Sequence, residues 1–427
     1  MSENIIIGAG PAGIGVGLSL GKDCTIIESA DTVGGFSRSI EIKGAVFDFG
    51  GHSFHTPHPE VRGLVYNSLE MERQTRNAKC FANGQVIPYP FQKNYRELND
   101  EIIVRECLAG LENLSTNIDK KDFDNFEDFI IKSFGSGISK HFMLPYNKKL
   151  WGRDLKRMAA DWTSERVAAP EGIKEKFDLT GGKRKPLQAD TKVGYPAKGG
   201  FGEIYKAIGE KLENVEFNTT VSRIDPKAKK VYTSDGKSYE YRNLISSISI
   251  IDFLKIIDNV PQRIVDLTKQ LDYLSMVLGL VVINHPVDTD IQRFYSAEKE
   301  IISHKTAINH NSSDYLRSLP NHGIMMEISE GPEKTLHRSD TKQWIVDSLL
   351  TLGAIKHPHE IEEIQIKNVK YSYPVPTKDR NEIMGEIKDW LQENDIYTVG
   401  RFGEWAYINS DKAIYRGLEL GKYIASL

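Results

Sequence analysis

Apolar and polar positions change period along this chain, and the changes mark its elements. Ile5-Ile6-Ile7, an uncharged glycine-rich stretch to Leu20, and Cys24-Thr25-Ile26-Ile27 predict strand, helix and strand. Glu41 to Phe49 predicts a strand pair leading into Gly50-Gly51-His52. Residues 98 to 165 predict helices: Ile103, Cys107 and Leu111 share one face, and Phe126, Phe129, Ile130 and Phe134 share another. Asp124 or Asn125 can cap the second of these. From Gly199 the pattern alternates again, with a helix over 201 to 213, a strand at Val215-Glu216-Phe217 and another over 219 to 224. A turn at Ser234-Asp235-Gly236 precedes the strand Leu244-Ile245-Ser246-Ser247. Residues 273 to 330 and 361 to 375 are rich in β-branched and aromatic residues and predict strands, with a helix over 340 to 352 between them. A last helix is expected over about 411 to 425.

The first strand–helix junction carries chemistry. Gly8, Gly10 and Gly13 form G-x-G-x-x-G, and Glu28 follows at the end of the second strand. In this context the motif is the fingerprint of a dinucleotide-binding βαβ unit. Gly8 permits the tight turn, Gly10 lets backbone approach a pyrophosphate, and Gly13 lets helix and strand pack closely. Pro11 and Ala12 open a helix whose free amides favour phosphate charge, while Glu28, beside Ser29, can accept ribose hydroxyls. The later pair Gly34-Gly35, followed by Phe36 and Ser37, resembles the FAD-binding flavoproteins of the amine-oxidase type, so FAD is expected rather than NAD.

With 427 residues, 40% of them hydrophobic, the chain can bury a large core in two or three domains. Its net charge of −4 provides no basic field for nucleic acid or anionic lipid. Cys24, Cys80 and Cys107 are widely spaced and form no C-x-x-C, which fits a reduced compartment. A strand starting near Asn4 leaves no room for a signal peptide, and no long apolar segment reads as a membrane span; a cytoplasmic protein is expected. His52, His55 and His58 recur every third residue, but Pro57 and Pro59 prevent a helix that would align them and no acid or cysteine cluster completes a shell, so no metal is expected. No G-x-S-x-G, P-loop or H-E-x-x-H occurs.

Further motifs extend the argument: G-G-H at 50 to 52, I-P-Y-P-F-Q-K-N at 87 to 94, P-Y-N-K-K-L-W at 145 to 151 and S-E-R-V-A-A-P at 164 to 170. Y-P-A-K-G-G at 195 to 200, Y-P-V-P-T at 373 to 377 and G-R-F-G-E-W-A-Y at 400 to 407 follow in order. With these stretches the chain resembles the UDP-galactopyranose mutases, closest to their eukaryotic-type branch. The resemblance implies an α/β fold in which a Rossmann-like FAD-binding domain (1–80, 199–265 and 395–427) is interrupted. The interruptions are a helical insert (95–185) and an antiparallel-sheet substrate domain (81–94, 186–198 and 266–394). It also implies an isomerase that interconverts pyranose and furanose forms of a nucleotide sugar, in which N5 of reduced FAD attacks the anomeric carbon and displaces the diphosphate. A nucleotide-sugar substrate and an external reductant such as NAD(P)H or a reductase follow. The oligomeric state, with a homodimer as one option, stays open.

The same resemblance assigns residues. Arg166 matches the diphosphate-binding arginine, whose forked guanidinium suits a group that must leave and return. Tyr295, Tyr373 and Tyr407 match hydroxyls that reach the same diphosphate. Tyr89, Phe91 and Gln92 occupy the uridine loop, and Tyr146, Asn147 and Trp151 flank nucleotide and flavin. The loop of Gly50, Gly51 and His52 is expected beside flavin N5, with His55 and His58 facing solvent. Gly400, Arg401, Asn409, Ser410 and Asp411 match the closing FAD segment, and Val221 is expected at the adenine.

Two departures matter. Lys305 stands where the family has a second arginine, which keeps the charge and loses the fork, and Arg293 lies near a tryptophan position of close relatives and could compensate. The segment 408 to 414 is short and 171 to 194 matches the mobile flaps poorly, so the sugar and the nucleotide stay open. A flavin oxidoreductase acting on an amine, a porphyrinogen-like compound or a sugar, and a non-catalytic flavin- or nucleotide-binding protein, are the competing readings. Under the mutase reading, Arg166→Ala weakens nucleotide binding yet keeps the yellow flavin colour, and Lys305→Arg is neutral or better. Nucleotide titration of the two variants checks both, and unchanged affinity in the alanine variant removes Arg166 from the site.

Overall fold

Ile5, Ile6 and Ile7 are buried on both faces because their strand, Asn4–Ile7, is the middle one of five. The parallel sheet runs Ile396–Thr398, Asn243–Ser246, Asn4–Ile7, Cys24–Ile27 and Val215–Glu216, so its strands come from widely separated stretches of chain. A near-continuous apolar run is what a strand covered on both sides requires. The computed structural model describes residues 4–114, 123–163, 192–336 and 339–427.

The first helix, Pro11–Leu20, packs against the sheet and against the closing helix, Ser410–Ala425. Glycine makes that contact: a Cβ on Gly15 would stand 2.3 Å from the Ile414 carbonyl oxygen, and one on Gly417 would stand 2.1 Å from that of Ala12. The helical stretch resolves into Glu101–Glu112, Phe126–Ile138 and Leu144–Trp151. The Asn125 side chain caps the second, accepting from the Asp128 amide at 2.9 Å. Cys107, Leu111, Phe126, Phe129, Ile130 and Phe134 are buried as their spacing predicts, with Ile103 at the edge of the cluster.

The second large sheet has seven strands: Ile361–Pro374, Tyr273–Ile283, His322–Glu330, Lys305–Ala307, Arg293–Ser296, Ala78–Ala82 and Gln85–Pro88. All neighbours are antiparallel except Arg293–Ser296 beside Ala78–Ala82. Its register aligns Tyr295 with Lys305, Lys305 with Glu327, Glu327 with Leu278 and Leu278 with Lys367. Directly paired residues point to the same face. One transverse row therefore carries a tyrosine, a lysine, a glutamate and a second lysine across the floor of the molecule.

The Ser39–Ile42 and Ala45–Asp48 hairpin lies over this floor, held by the buried carboxylate of Asp48. Asp48 accepts from Tyr195 Oη at 2.7 Å, Phe201 N at 2.9 Å and Asn309 Nδ2 at 2.9 Å. The helices Pro59–Tyr66, Gln262–Thr268 and Arg380–Gln392 and the strands from Met71 to Pro88 lie where the sequence pattern marked no element. Helical spacing of Ile383, Met384, Ile387 and Leu391 produces the longest of them, since those four side chains enter one core.

Candidate active site

A cavity of about 1150 Å³ runs from the glycine fingerprint across the hairpin to the floor of the seven-stranded sheet. At the fingerprint end the three glycines play the separate parts their spacing predicts. Gly8 has φ +95°, and a Cβ there would meet Ser247 Oγ at 2.6 Å. Gly13 packs against backbone, with a Cβ only 1.9 Å from the Gly8 carbonyl oxygen. Gly10 has open space before it and lines the cavity with Gly8, Pro11 and Ala12. Glu28 accepts from the Ala9 and Ala30 amides at 2.7 and 2.8 Å, which fixes its carboxylate at the cavity wall. Ser29, Gly35, Phe36 and Ser37 continue this wall, and Gly400, Arg401, Asn409, Ser410 and Asp411 close it at the start of the closing helix.

Beyond the cradle the lining becomes aromatic. The Tyr89 and Tyr295 rings stack at 4.7 Å, Tyr146 meets Tyr295 edge-on, and Trp151 contacts Tyr373 and Tyr407. The Arg401 guanidinium lies 5.3 Å above Tyr373 and 5.7 Å above Tyr407. Burial first, then neighbouring tyrosines, pushes the Tyr89 and Tyr146 hydroxyls up, so both remain neutral. Gln92 and Asn147 complete this part of the wall.

Lys305 reaches the cavity, but it is not a bare cation. Its Nζ lies 2.5 Å from Glu327 Oε1, and Glu327 also accepts from the Gly51 amide at 3.2 Å. His304 Nε2 stands 3.4 Å from the other carboxylate oxygen. Burial opposes the charge on Glu327, yet the Lys305 charge and the His304 hydrogen bond outweigh it and hold the carboxyl below the usual range. His52 is pushed down to about 3 by burial and then by Lys305, so the ring beside Gly51 is neutral.

Several assignments change. Phe91 is a core residue stacked on Phe142 at 4.7 Å and does not line the cavity, because its ring enters the helical cluster. Val221 packs with Ile5, Ile7 and Ile27 in the core rather than at the cavity wall. His58 does not simply face solvent but stacks on Tyr415 at 3.8 Å, whereas His55 is exposed at the rim. Arg166 lies outside the described residues. The sequence pattern did not single out Glu327 or Arg76, both on the cavity wall. A lone acid inside the apolar run Ile324-Met325-Met326-Glu327-Ile328 was the available signal for the first.

Buried histidines predict the acid response of the fold. Burial lowers His52 and His310 to about 3 and His304 to about 4, against about 6.5 in an unfolded chain. Each is neutral in the native state, so its stabilising contribution is complete above about pH 6.5 and is lost as pH falls toward 3 to 4. The loss is about 1.4 kcal/mol per pH unit for each histidine. Urea unfolding between pH 6 and 4.5 should show a slope shallower by that amount in His310→Gln, and an unchanged slope would refute the assignment.

Residues 17–282 match the family described as flavin containing amine oxidoreductase. The chain belongs to that family. A solved structure of reduced UDP-galactopyranose mutase is similar over 100% of this chain and 96% of its own, with TM-score 0.91 and 26% identity. A fatty acid isomerase from P. acnes shares the fold, with TM-score 0.70 and 16% identity over 98% of this chain and 97% of its own. The dTDP-fucopyranose mutase of Escherichia coli is 26% identical over 171 residues, a match that takes in 38% of this chain and 44% of that protein. As a flavin containing amine oxidoreductase homologue the protein has FAD as its cofactor, and the cavity fits it. Gly10 leaves backbone open to a pyrophosphate, while the buried Ser249 Oγ and His52 Nδ1, both in lining residues, have no hydrogen-bond partner among the described residues. Among the described residues no helix is long and apolar enough to cross a membrane.

Proposed function

We propose that this flavoprotein interconverts pyranose and furanose forms of a nucleoside-diphosphate sugar. The reading is carried by one observation: a wall of tyrosines with Lys305 and Arg76 shares a continuous cavity with the flavin cradle. The full-length similarity to a reduced UDP-galactopyranose mutase supports it. When bound and reduced, FAD supplies a nucleophilic ring nitrogen to the anomeric carbon without net oxidation.

The chain's own residues do the rest. Stacked Tyr89 and Tyr295, with the Gln92 amide nearby, offer a face and an edge to a planar base. Lys305, tempered by Glu327, and Arg76, whose buried Nε has no acceptor among the described residues, supply charge for a diphosphate. Neutral tyrosine hydroxyls donate to its oxygens, and the ring pairs keep bulk water from the reacting carbon. An external reductant such as NAD(P)H or a reductase is required to set the flavin in its active state.

The test uses holoenzyme reduced with dithionite and a panel of UDP-galactose, UDP-N-acetylgalactosamine and dTDP-fucose, with products separated by chromatography. Furanose product from at least one sugar is expected. Dioxygen-linked oxidation of an amine by flavin-loaded protein that isomerises none of them would replace this reading with an oxidoreductase.

A further inference from the structure

Arg293 lies under the loop of Gly51, His52 and Ser53, 4% exposed, and makes no ion pair among the described residues. Its Nη2 donates to the His52 carbonyl oxygen at 2.6 Å and to Ser53 Oγ at 2.6 Å. Its Nε–H is buried and has no acceptor among the described residues. That nitrogen stands 3.1 Å from the point where a Cβ of Gly51 would be, so a side chain at residue 51 would crowd the approach.

The charges around the loop do not cancel. Lys305 and Glu327 neutralise each other at 2.5 Å, and His52 is uncharged. Arg293 therefore keeps an unpaired positive charge beside the loop, with Arg76 and Arg401 adding to the positive field and the buried Asp48 opposing it. A guanidinium cannot discard that charge. A buried cation is costly until an anion faces it. Among the described residues no carboxylate pairs with it directly. Glu327 and Asp48 both feel its charge, but Glu327 is held by Lys305 and Asp48 by Ser39, Tyr195, Phe201 and Asn309. The cavity that Arg293 lines is the one that takes the flavin. An oxidised isoalloxazine is neutral, whereas the reduced ring can carry a negative charge.

We propose that Arg293 is a positioning residue that also acts through its charge. It pins the Gly51–Ser53 loop through two hydrogen bonds and biases the bound flavin toward its reduced, anionic form. The inference requires only that the protein be a flavoprotein, so it can fail without the mutase reading failing, and the reverse.

Redox titration of the purified holoenzyme tests it without any turnover assay. Arg293→Gln should weaken the preference for reduced flavin about tenfold, a downward shift of about 30 mV for a two-electron couple. Arg293→Lys keeps the charge and should stay within threefold of the wild type, as should Ser53→Ala, which removes one anchor. A wild-type potential in Arg293→Gln, or a drop in Arg293→Lys as large as in Arg293→Gln, would overturn the proposal. Should Arg293→Gln not retain flavin, Glu327→Gln decides: removing the neighbouring negative charge must raise the preference for reduced flavin about tenfold, and an unchanged or lowered value rejects the charge account.

Discussion

Exchanging Glu327 for glutamine is expected to tighten the grip on a nucleoside diphosphate about tenfold while slowing turnover. The carboxylate sits on the same transverse row as Lys305 and holds its ammonium at 2.5 Å. A diphosphate reaching Lys305 thus meets a cation whose field is partly spent and a buried negative charge behind it. Removing that charge leaves the lysine to the ligand and removes a repulsion, so ground-state binding deepens. Under the proposed mutase reaction the leaving group must be released and recaptured, and deeper ground-state binding slows that exchange. The same change replaces charge-assisted hydrogen bonds from Lys305 and Gly51 by weaker ones, at a cost of about 2 kcal/mol in stability. Calorimetric titration with UDP, steady-state kinetics and urea unfolding check the three parts. Weaker UDP binding in the variant would mean that Glu327 organises the lysine for the ligand instead of competing with it.

The second large effect is expected at Gly13. An alanine methyl there would lie 1.9 Å from the Gly8 carbonyl oxygen, a contact with backbone that no rotamer can relieve. The helix must move off the turn, and with it the amides that face a pyrophosphate. We expect Gly13→Ala to purify colourless and to lose about 3 kcal/mol of stability. Gly63, in the helix Pro59–Tyr66, has nothing within 4 Å of its hypothetical Cβ and is the matched control. Gly63→Ala should keep its flavin and gain a few tenths of a kcal/mol from helix propensity. Flavin absorbance per chain and thermal unfolding distinguish the two, and a yellow Gly13→Ala protein would refute the packing argument.

These two residues also mark what was readable in the chain and what was not. Gly13 announces itself, because its motif sits between an apolar strand and a helix and each glycine has a local steric reason. Tyr89, Tyr373 and Tyr407 were legible through motifs and Tyr295 through a weaker local match, and the fold gathers them in one wall. Phe91 shares a motif with Tyr89 and Gln92 but turns inward, since motif membership does not say which way a ring points. Glu327 depends on strand register: its partner Lys305 is assigned by pairing across the sheet, which no local spacing encodes. The helix Arg380–Gln392 has an apolar periodicity of its own, but the sequence pattern marked no element there and the stretch fell inside the expected sheet domain 266–394.

The glycine contact between the first and closing helices has a consequence for biosynthesis. Ser19 and Leu418, which bond across that contact, are 399 positions apart. A nascent chain arrested on the ribosome before residue 400 therefore has the phosphate turn but not its lid, and it can acquire no yellow colour. Cofactor capture must wait for the closing helix, and until then the exposed sheet is a client for chaperones.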